Sequence, residues 1–225
     1  VNEWSHKWLL KFNVDKCKLL QLGNSSPANY YLSSPDGFFR SLICKVTEEE
    51  DLGVWCTSDM KPSLQVQKAV TKAMQTLGML KRSFKFLSRD LFLFLYRTYI
   101  RPHLEYCAPS WSPYLAKDID ALERVQHRAT KLVKNLSALT YEDRLVSLQL
   151  QSIYCHRQCG DLIEAFKILN DFTNVQMGTA FTLNTIQFTR GHPFKLVKSR
   201  CNLELRRHFF TNRVVTQWNS LPSYV

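Results

Sequence analysis

The chain has 225 residues, 45% hydrophobic and 12% aromatic, which excludes a disordered tail and allows a sizeable core. Seven cysteines, an odd number, argue against a closed disulfide framework, and without a signal peptide they favour an intracellular location, nucleus or cytoplasm. The longest apolar run, Leu91 to Tyr96, is far shorter than the roughly 18 to 20 residues that cross a bilayer, so we expect no membrane segment.

The net charge of +11 is concentrated in the middle of the chain. Residues 1–60 hold 6 Lys and Arg against 8 Asp and Glu, residues 61–134 hold 14 against 5, and residues 135–225 hold 10 against 6. Such a field attracts polyanions before any specific contact forms. A basic, solvated surface without a ligand is the alternative explanation.

The first 58 residues are predicted to form one helix and a few short antiparallel strands. Trp4, Trp8, Leu9 and Phe12 recur at helical spacing, which predicts an amphipathic helix from Val1 to Phe12. Strand patterns bounded by turn residues follow along the chain at Cys17 to Gly23, Asn29 to Leu32, Phe38 to Val46 and Asp51 to Thr57.

The remainder is predicted to be helical, so the fold class is mainly α with a small antiparallel β part at the N-terminus (α+β). Pro102 is expected to kink or break the second of these helices, because proline lacks an N–H donor. Residues Phe172 to Asn202 show little periodicity and are expected to be a long, mobile connection. The helices are predicted at Ser63 to Lys85, Asp90 to Tyr106, Asp118 to Leu136, Tyr141 to Leu148, Ser152 to Asn170 and Leu203 to Trp218.

Several of these helices carry signals for their ends or their buried faces. Thr140, followed by Glu142 and Asp143, is typical of an N-cap with acidic residues in the first turn. Tyr96, Tyr99 and Leu104 share the spacing of core positions. In the helix from Ser152 the inward residues are predicted to be Ile153, Leu162, Ile163, Phe166 and Leu169.

Four sequence blocks resemble, in the same order, the C-terminal part of a known enzyme family. They are "WSHKWLLKFNVDKCKLLQLG" (Trp4 to Gly23), "EEDLGVWCTSDM" (Glu49 to Met60), "LYRTYIRPHLEYCAPSWSP" with "IDALERVQHRATKLV" (Leu95 to Val133), and "RHFFTNRVVTQWNSLP" (Arg207 to Pro222). The chain is similar in these blocks to the reverse transcriptases of non-LTR (LINE-type, jockey-like) retrotransposons.

The resemblance implies three regions of a right-hand polymerase. Residues 1–58 would be the end of the palm with a primer-grip-like hairpin, 59–136 a helical thumb, and 137–225 a helical C-terminal extension. Lys16 matches the palm lysine near the incoming nucleotide, and Leu52, Gly53 and Val54 match the primer-grip bend. An exposed lysine and an ordinary tight bend are the alternatives.

The family's catalytic aspartates, which hold two Mg²⁺ ions, would precede Val1. The resemblance therefore implies a fragment of an RNA-directed DNA polymerase that lacks polymerase activity alone and binds no metal or small molecule itself. Its expected partner is an RNA–DNA template–primer or another nucleic acid, bound without sequence preference by shape and phosphates. The residues expected to contact it are Leu52, Gly53, Val54, Lys68, Lys72, Lys81, Arg82, Lys85, Arg97 and Arg101.

Other interpretations remain open. Trp111 could stack on a base or anchor the core, and packing is favoured. Cys155, His156 and Cys159 lie close together, but no partner pair has zinc spacing, so drift or buried thiols are favoured. The chain could also be a degenerate element copy without a cellular task, or a helical nucleic-acid-binding or protein-interaction domain reused by a host.

Overall fold

The computed structural model of this chain describes residues 2–10, 12–23, 26, 28–33, 40–84, 87–184 and 192–222. About half of the chain is helical and a small part forms short strands, which confirms the predicted mainly α class with a small β part. The chain divides into two compact units, Val1–Leu64 and Gln65–Val225.

The first unit contains helix α1 (Asn2–Trp8), a 3₁₀ turn (Val14–Lys16) and, among its described residues, six short strands. Helix α1 is shorter than predicted, because Leu9 takes a left-handed conformation with φ of 52° that ends the helix. Its aromatic residues Trp4 and Trp8 are exposed, so the amphipathic pattern does not correspond to a buried face within the described part. The strands are β1 (Lys18–Leu20), β2 (Tyr31–Ser33), β3 (Arg40–Leu42), β4 (Cys44–Val46), β5 (Glu48–Asp51) and β6 (Val54–Thr57).

The strands pair two by two. Strand β2 pairs with β3 and β5 pairs with β6, both antiparallel as expected. Strand β1 pairs with β4 in parallel, with Lys18 opposite Cys44 and Leu20 opposite Val46, so the all-antiparallel prediction is wrong. A parallel pair needs a long crossover connection, and here the segment between β1 and β4 contains the β2–β3 hairpin.

The second unit is built mainly from helices. Helices α2, α6 and α7 agree with the predicted segments to within two residues, whereas the helix predicted to reach Leu136 ends at Thr130. They are α2 (Ser63–Ser83), α3 (Arg89–Leu95), α4 (Arg101–Glu105), α5 (Ala116–Thr130), α6 (Tyr141–Leu148), α7 (Ile153–Leu169), α8 (Met177–Ala180), α9 (Glu204–Arg207) and α10 (Phe210–Asn219).

Hydroxyl side chains determine where three of these helices begin. The Oγ atoms of Ser88, Thr140 and Ser152 each accept a hydrogen bond from the backbone N–H three residues later. Each satisfies one of the donors that the first helical turn leaves without a partner. The N-cap predicted at Thr140 is therefore confirmed.

Helical hydrogen bonding continues past Pro102, so the helix does not break there, which was one of the two predicted outcomes. A π-helical turn, Tyr96–Ile100, joins α3 to α4, and the Arg101 N–H donates to the Tyr96 carbonyl five residues earlier. Pro102 then occupies the first turn of α4, a position that tolerates proline. Because the π turn is wider than an α-helical turn, the helix can continue past Pro102, which has no N–H to donate.

Segment 172–202 contributes to the core instead of forming an unstructured connection. Phe181 and Leu196 are buried against Ile168 of α7 and Trp218 of α10, and Leu183 bridges to Leu196. Residues 185–191 lie outside the described residues. The predicted lack of periodicity agrees with the described residues, where α8 is the one helix of this segment, but the packing of Phe181 and Leu196 does not fit a mobile connection. These positions lack helical periodicity because single extended residues, and not a helical face, supply the apolar contacts.

The buried face of helix α7 agrees with the prediction in part. Ile153 is buried and Leu162 and Leu169 pack against the core, but Ile163 and Phe166 are 56% and 44% exposed. Their place is taken by Arg157 and Asp161, together with Ala165 and Ile168. The apolar pattern was misleading because two charged side chains of this helix are buried with partners from other segments. Asp161 pairs with Arg213, and Arg157 donates to backbone carbonyls. The last predicted helix is also divided, since extended Phe209 separates α9 from α10.

Candidate nucleic-acid interface

Helix α2 carries the most continuous basic surface among the predicted contact residues. Its 21 residues include four Lys and Arg and no Asp or Glu. Lys72, Lys81 and Arg82 are exposed and Lys68 is half-buried. The opposite face is buried through Val66, Ala69, Ala73, Leu77 and Leu80.

Three of these cations form a stripe along the helix. At 3.6 residues per turn, Lys68, Lys72 and Arg82 project from one side, and Lys81 projects from another. A rise of 1.5 Å per residue spreads the stripe over roughly 21 Å. The helix itself contains no Asp or Glu, and a row of cations at this spacing can follow a line of phosphates. We define Lys68, Lys72, Lys81 and Arg82 as the α2 cations.

Arg97 and Arg101 lie one turn apart on the helical segment α3–π–α4 and have different surroundings. Arg97 is exposed and forms no ion pair within the described residues. The Nε of Arg101 lies 3.5 Å from Glu105 Oε2, and Nδ1 of His156 lies 2.9 Å from Glu105 Oε1. Burial of Glu105 raises the pKa of its carboxyl, and the charges of His156, Arg101 and Arg157 oppose that shift. Arg101 is thus held in a fixed cluster, whereas Arg97 is available.

The predicted primer-grip residues form the turn of a tight hairpin in the first unit. Asp51 pairs with Val54, so Leu52 and Gly53 alone make the turn, with φ of 47° and 82°. Two positive φ values are typical of a type I′ turn, which glycine adopts easily and leucine does not. Leu52 is 86% exposed and Val54 is buried. The geometry is that of a rigid hairpin tip presenting one apolar side chain.

Lys16 lies in the 3₁₀ turn of the same unit. This turn is capped by Asn13, whose side chain accepts a hydrogen bond from the Asp15 N–H at 3.0 Å. The Lys16 side chain is exposed.

The blocks that carry the resemblance form a buried polar network in the second unit. The Glu123 carboxylate accepts hydrogen bonds from the Ile153 and Tyr154 N–H groups at 3.0 and 3.4 Å, and from the Tyr141 hydroxyl. This anion suits the first turn of α7, where unpaired N–H groups concentrate positive charge. Burial and Glu123 raise the pKa of Tyr141 well above its usual value.

Gln126, one turn after Glu123 on α5, connects two further segments. Its side-chain carbonyl accepts a hydrogen bond from the buried Tyr96 hydroxyl, and its amide donates to the Gln151 carbonyl at 2.8 Å. Burial raises the pKa of Tyr96 well above its usual value. Glu123 and Gln126 therefore fix α5 to α6, α7 and the π turn, and these motif residues act structurally. The predicted core positions Tyr96 and Leu104 are confirmed, but Tyr99 is 49% exposed.

Trp111 is an anchor of the fold, as the favoured interpretation predicted. It is 4% exposed, and its indole N–H donates to the Tyr106 carbonyl at 2.8 Å. The Arg157 guanidinium lies 4.0 Å from the ring centroid and donates to the carbonyls of Leu104 and Trp111. Burial lowers the pKa of Arg157 to about 10. Trp111 is thus covered by a cation and is inaccessible to a base.

A second arginine, Arg213, is largely buried and joins the last helix to the same region. Arg213 donates from Nε and Nη2 to the two Asp161 oxygens at 2.8 and 2.9 Å, and from Nη2 to the Ala108 and Pro109 carbonyls at 3.2 Å. The two side chains are 14% and 7% exposed. This forked pair connects segments that are more than 50 residues apart along the chain.

The acidic and sulfur-containing clusters do not form a metal site within the described ranges. Residues Glu48–Asp51 extend along strand β5, where successive side chains point to opposite faces, and Glu142 with Asp143 begins α6. No group of three or more His, Cys, Asp or Glu side chains converges there. Cys155 is exposed and Cys159 half-buried, so of the two favoured explanations, drift and buried thiols, the structure contradicts the second. These residues do not fit a pair of Mg²⁺ ions.

The structure brings some predicted contact residues together and separates others. The α2 cations, Arg97 and Arg101 belong to the second unit, whereas Lys16 and the Leu52–Val54 hairpin belong to the first. Lys85 lies outside the described residues. Glu105 and His156 were not predicted as site residues. The i, i+4 spacing of Arg101 and Glu105 could have indicated the contact between these two side chains, but nothing in the sequence places His156 beside Glu105.

None of the helices in the described portion is both long and apolar enough to traverse a bilayer. Comparison of the chain with protein-family models, with curated proteins and with solved structures finds no match.

Proposed function

We propose that this chain is the nucleic-acid-holding, C-terminal part of a non-LTR retrotransposon reverse transcriptase, with no catalytic centre of its own. The observation that supports this proposal most directly is helix α2, which presents the α2 cations without any acidic residue. We choose this family because the four sequence blocks follow one another in the order that its members have. The ligand expected for this part of such an enzyme is a template–primer duplex.

The physical basis of binding is electrostatic. Each phosphate that a cation neutralises releases condensed counterions, so affinity falls with salt in proportion to the number of contacts. The spread of the stripe, roughly 21 Å, is long enough to meet several phosphates of one strand. Such contacts carry no sequence information, and binding is therefore non-specific, with the shape of the A-form hybrid as the recognised feature.

The test is a titration of the full chain with an RNA–DNA hybrid over a series of salt concentrations. Changing all four α2 cations to Gln should reduce the slope of log affinity against log salt by roughly 3, at about 0.9 for each of the three cations of the stripe. The matched control removes four cations from another part of the second unit, by changing Lys167, Lys198, Arg200 and Arg206 to Gln, and should leave the slope near that of the unchanged chain.

Two results would contradict the proposal. One is an equal loss of slope in both four-residue variants, which would mean that only the net charge matters. The other is no binding of the hybrid by the unchanged chain. That second result would favour the host-reused interaction domain, for which the exposed Ile163, Phe166 and Phe172 offer an apolar surface.

A further inference from the structure

A cleft of about 280 Å³ opens in the second unit beside the buried polar network. One wall is the π turn and α4, and the other is segment 149–151 with the first turn of α7. Its floor includes Tyr96, Gln126 and Ile153, and the hydrogen bonds of Gln126 hold this floor together. The cleft is thus supported by buried side chains and does not depend on a loop alone.

The walls of this cleft are cationic. Arg97, Arg101 and His156 line it with a single carboxylate, that of Glu105. Glu105 contacts Nε of Arg101 and Nδ1 of His156, so it orients both of these side chains. It compensates one of the two arginines, and the exposed Arg97 leaves the lining net positive.

The size and the donors indicate the class of ligand. The volume is close to the roughly 300 Å³ at the lower end of small-molecule sites and is many times the space of one water. Guanidinium groups match the oxygens of a phosphate in a forked geometry. Gln149 and Gln151 also line the cleft and carry amides suited to the polar edge of a base. The π turn in the wall is a backbone form often found at functional sites.

We propose that this cleft binds one nucleotide through its phosphate, with Arg97 and Arg101 as the phosphate contacts and Glu105 as a positioning residue. The choice of a nucleotide over another phosphate compound rests on the proposed function. The site differs from the α2 cations and also departs from the sequence-based expectation that the chain takes no small-molecule ligand.

The experiment is calorimetric titration of the full chain with adenosine monophosphate and with inorganic phosphate. Arg97→Gln removes one charge-assisted contact, so affinity for the nucleotide should fall by roughly tenfold or more. Because Arg97 is exposed and forms no ion pair in the described residues, this change should leave folding intact. The matched control is Arg128→Gln, an exposed arginine of α5 outside the cleft, which should bind as the unchanged chain does.

A second arm distinguishes a free nucleotide from the end of a strand. Single-stranded oligonucleotides with and without a 5′-phosphate are titrated into the same three proteins. If the unchanged chain prefers the phosphorylated strand and Arg97→Gln abolishes that preference, the cleft binds the end of a strand. If Arg97→Gln weakens only the binding of adenosine monophosphate, the cleft binds free nucleotides. Equal affinities in all three proteins, or no binding of any probe, would overturn the proposal. Hybrid binding through the α2 cations is measured separately, so either proposal can fail without the other.

Discussion

The forked ion pair of Arg213 and Asp161 should be among the most sensitive points of the second unit. Changing Asp161 to Asn removes the charge that faces Arg213 and leaves a buried guanidinium without its anion. Asp161 also acts on the nearby Arg157: the negative charge of Asp161 stabilises the charged form of Arg157, and the positive charge of Arg213 destabilises it. The substitution would therefore leave two neighbouring buried cations uncompensated.

The size of the effect follows from this burial. Removing one partner of a buried pair costs about 3–5 kcal/mol, because the remaining charge keeps its desolvation penalty. That is a large fraction of the roughly 5–15 kcal/mol that stabilises a typical domain. For a unit of this size, from Gln65 to Val225, each kcal/mol shifts the unfolding temperature by about 2–4 °C, so we expect a decrease of about 6–20 °C.

Thermal and urea unfolding followed by circular dichroism would measure the change. The matched control is Glu164→Gln on the same helix, since Glu164 pairs with Lys167 at 3.5 Å on the surface. An exposed pair contributes at most about 1 kcal/mol, so this control should unfold near the unchanged chain. A double change of Asp161 to Leu and Arg213 to Met should cost less than Asp161→Asn, because only Arg157, and no longer Arg213, then stays buried without the Asp161 charge. Similar losses in the Asp161→Asn and Glu164→Gln variants would refute the reasoning.

Two further predictions concern local contacts. Thr140→Ala should lower the free energy of unfolding by about 1 kcal/mol, since the Thr140 Oγ accepts from the Asp143 N–H at 3.2 Å; a midpoint unchanged in urea would contradict this. Hydrogen bonds from Thr57 and Lys61 lower the pKa of Asp59 from 3.8 to about 2. Its contribution is therefore present above pH 4 and lost as pH falls towards 2, and it stays below about 1 kcal/mol because the carboxylate is half-exposed. Carboxyl titration by NMR should show the shift in the unchanged chain, and Thr57→Val should bring the value back towards normal.

Local signals in the sequence predicted much of the helical part correctly. The 3.6-residue pattern of α2 and the polar residues before α6 and α7 are sufficient to locate these helices, because propensity and capping act within a few neighbouring residues. Charge counting also located the basic block that includes α2. The sequence analysis also favoured packing over base stacking for Trp111, and the buried indole confirms this.

Features that depend on distant residues were missed or mispredicted. The sequence gives no sign that Arg157 and Asp161 replace Ile163 and Phe166 on the buried face of α7. That exchange depends on Trp111 and Arg213, each about 50 residues away, which compensate the two charges. The parallel pairing of β1 with β4 likewise depends on a crossover that the alternation of residues within each strand does not encode.

The sequence alone therefore determined which segments become helices, where several of them begin, and that positive charge accumulates on the central block, since all of these are properties of neighbouring residues. Only the tertiary structure decided which charged side chains are buried as pairs, and that Arg97, Arg101, Glu105 and His156 surround a common cleft. The reason is physical: a buried charge is tolerated only beside its partner, and a cleft exists only between segments that packing has brought together.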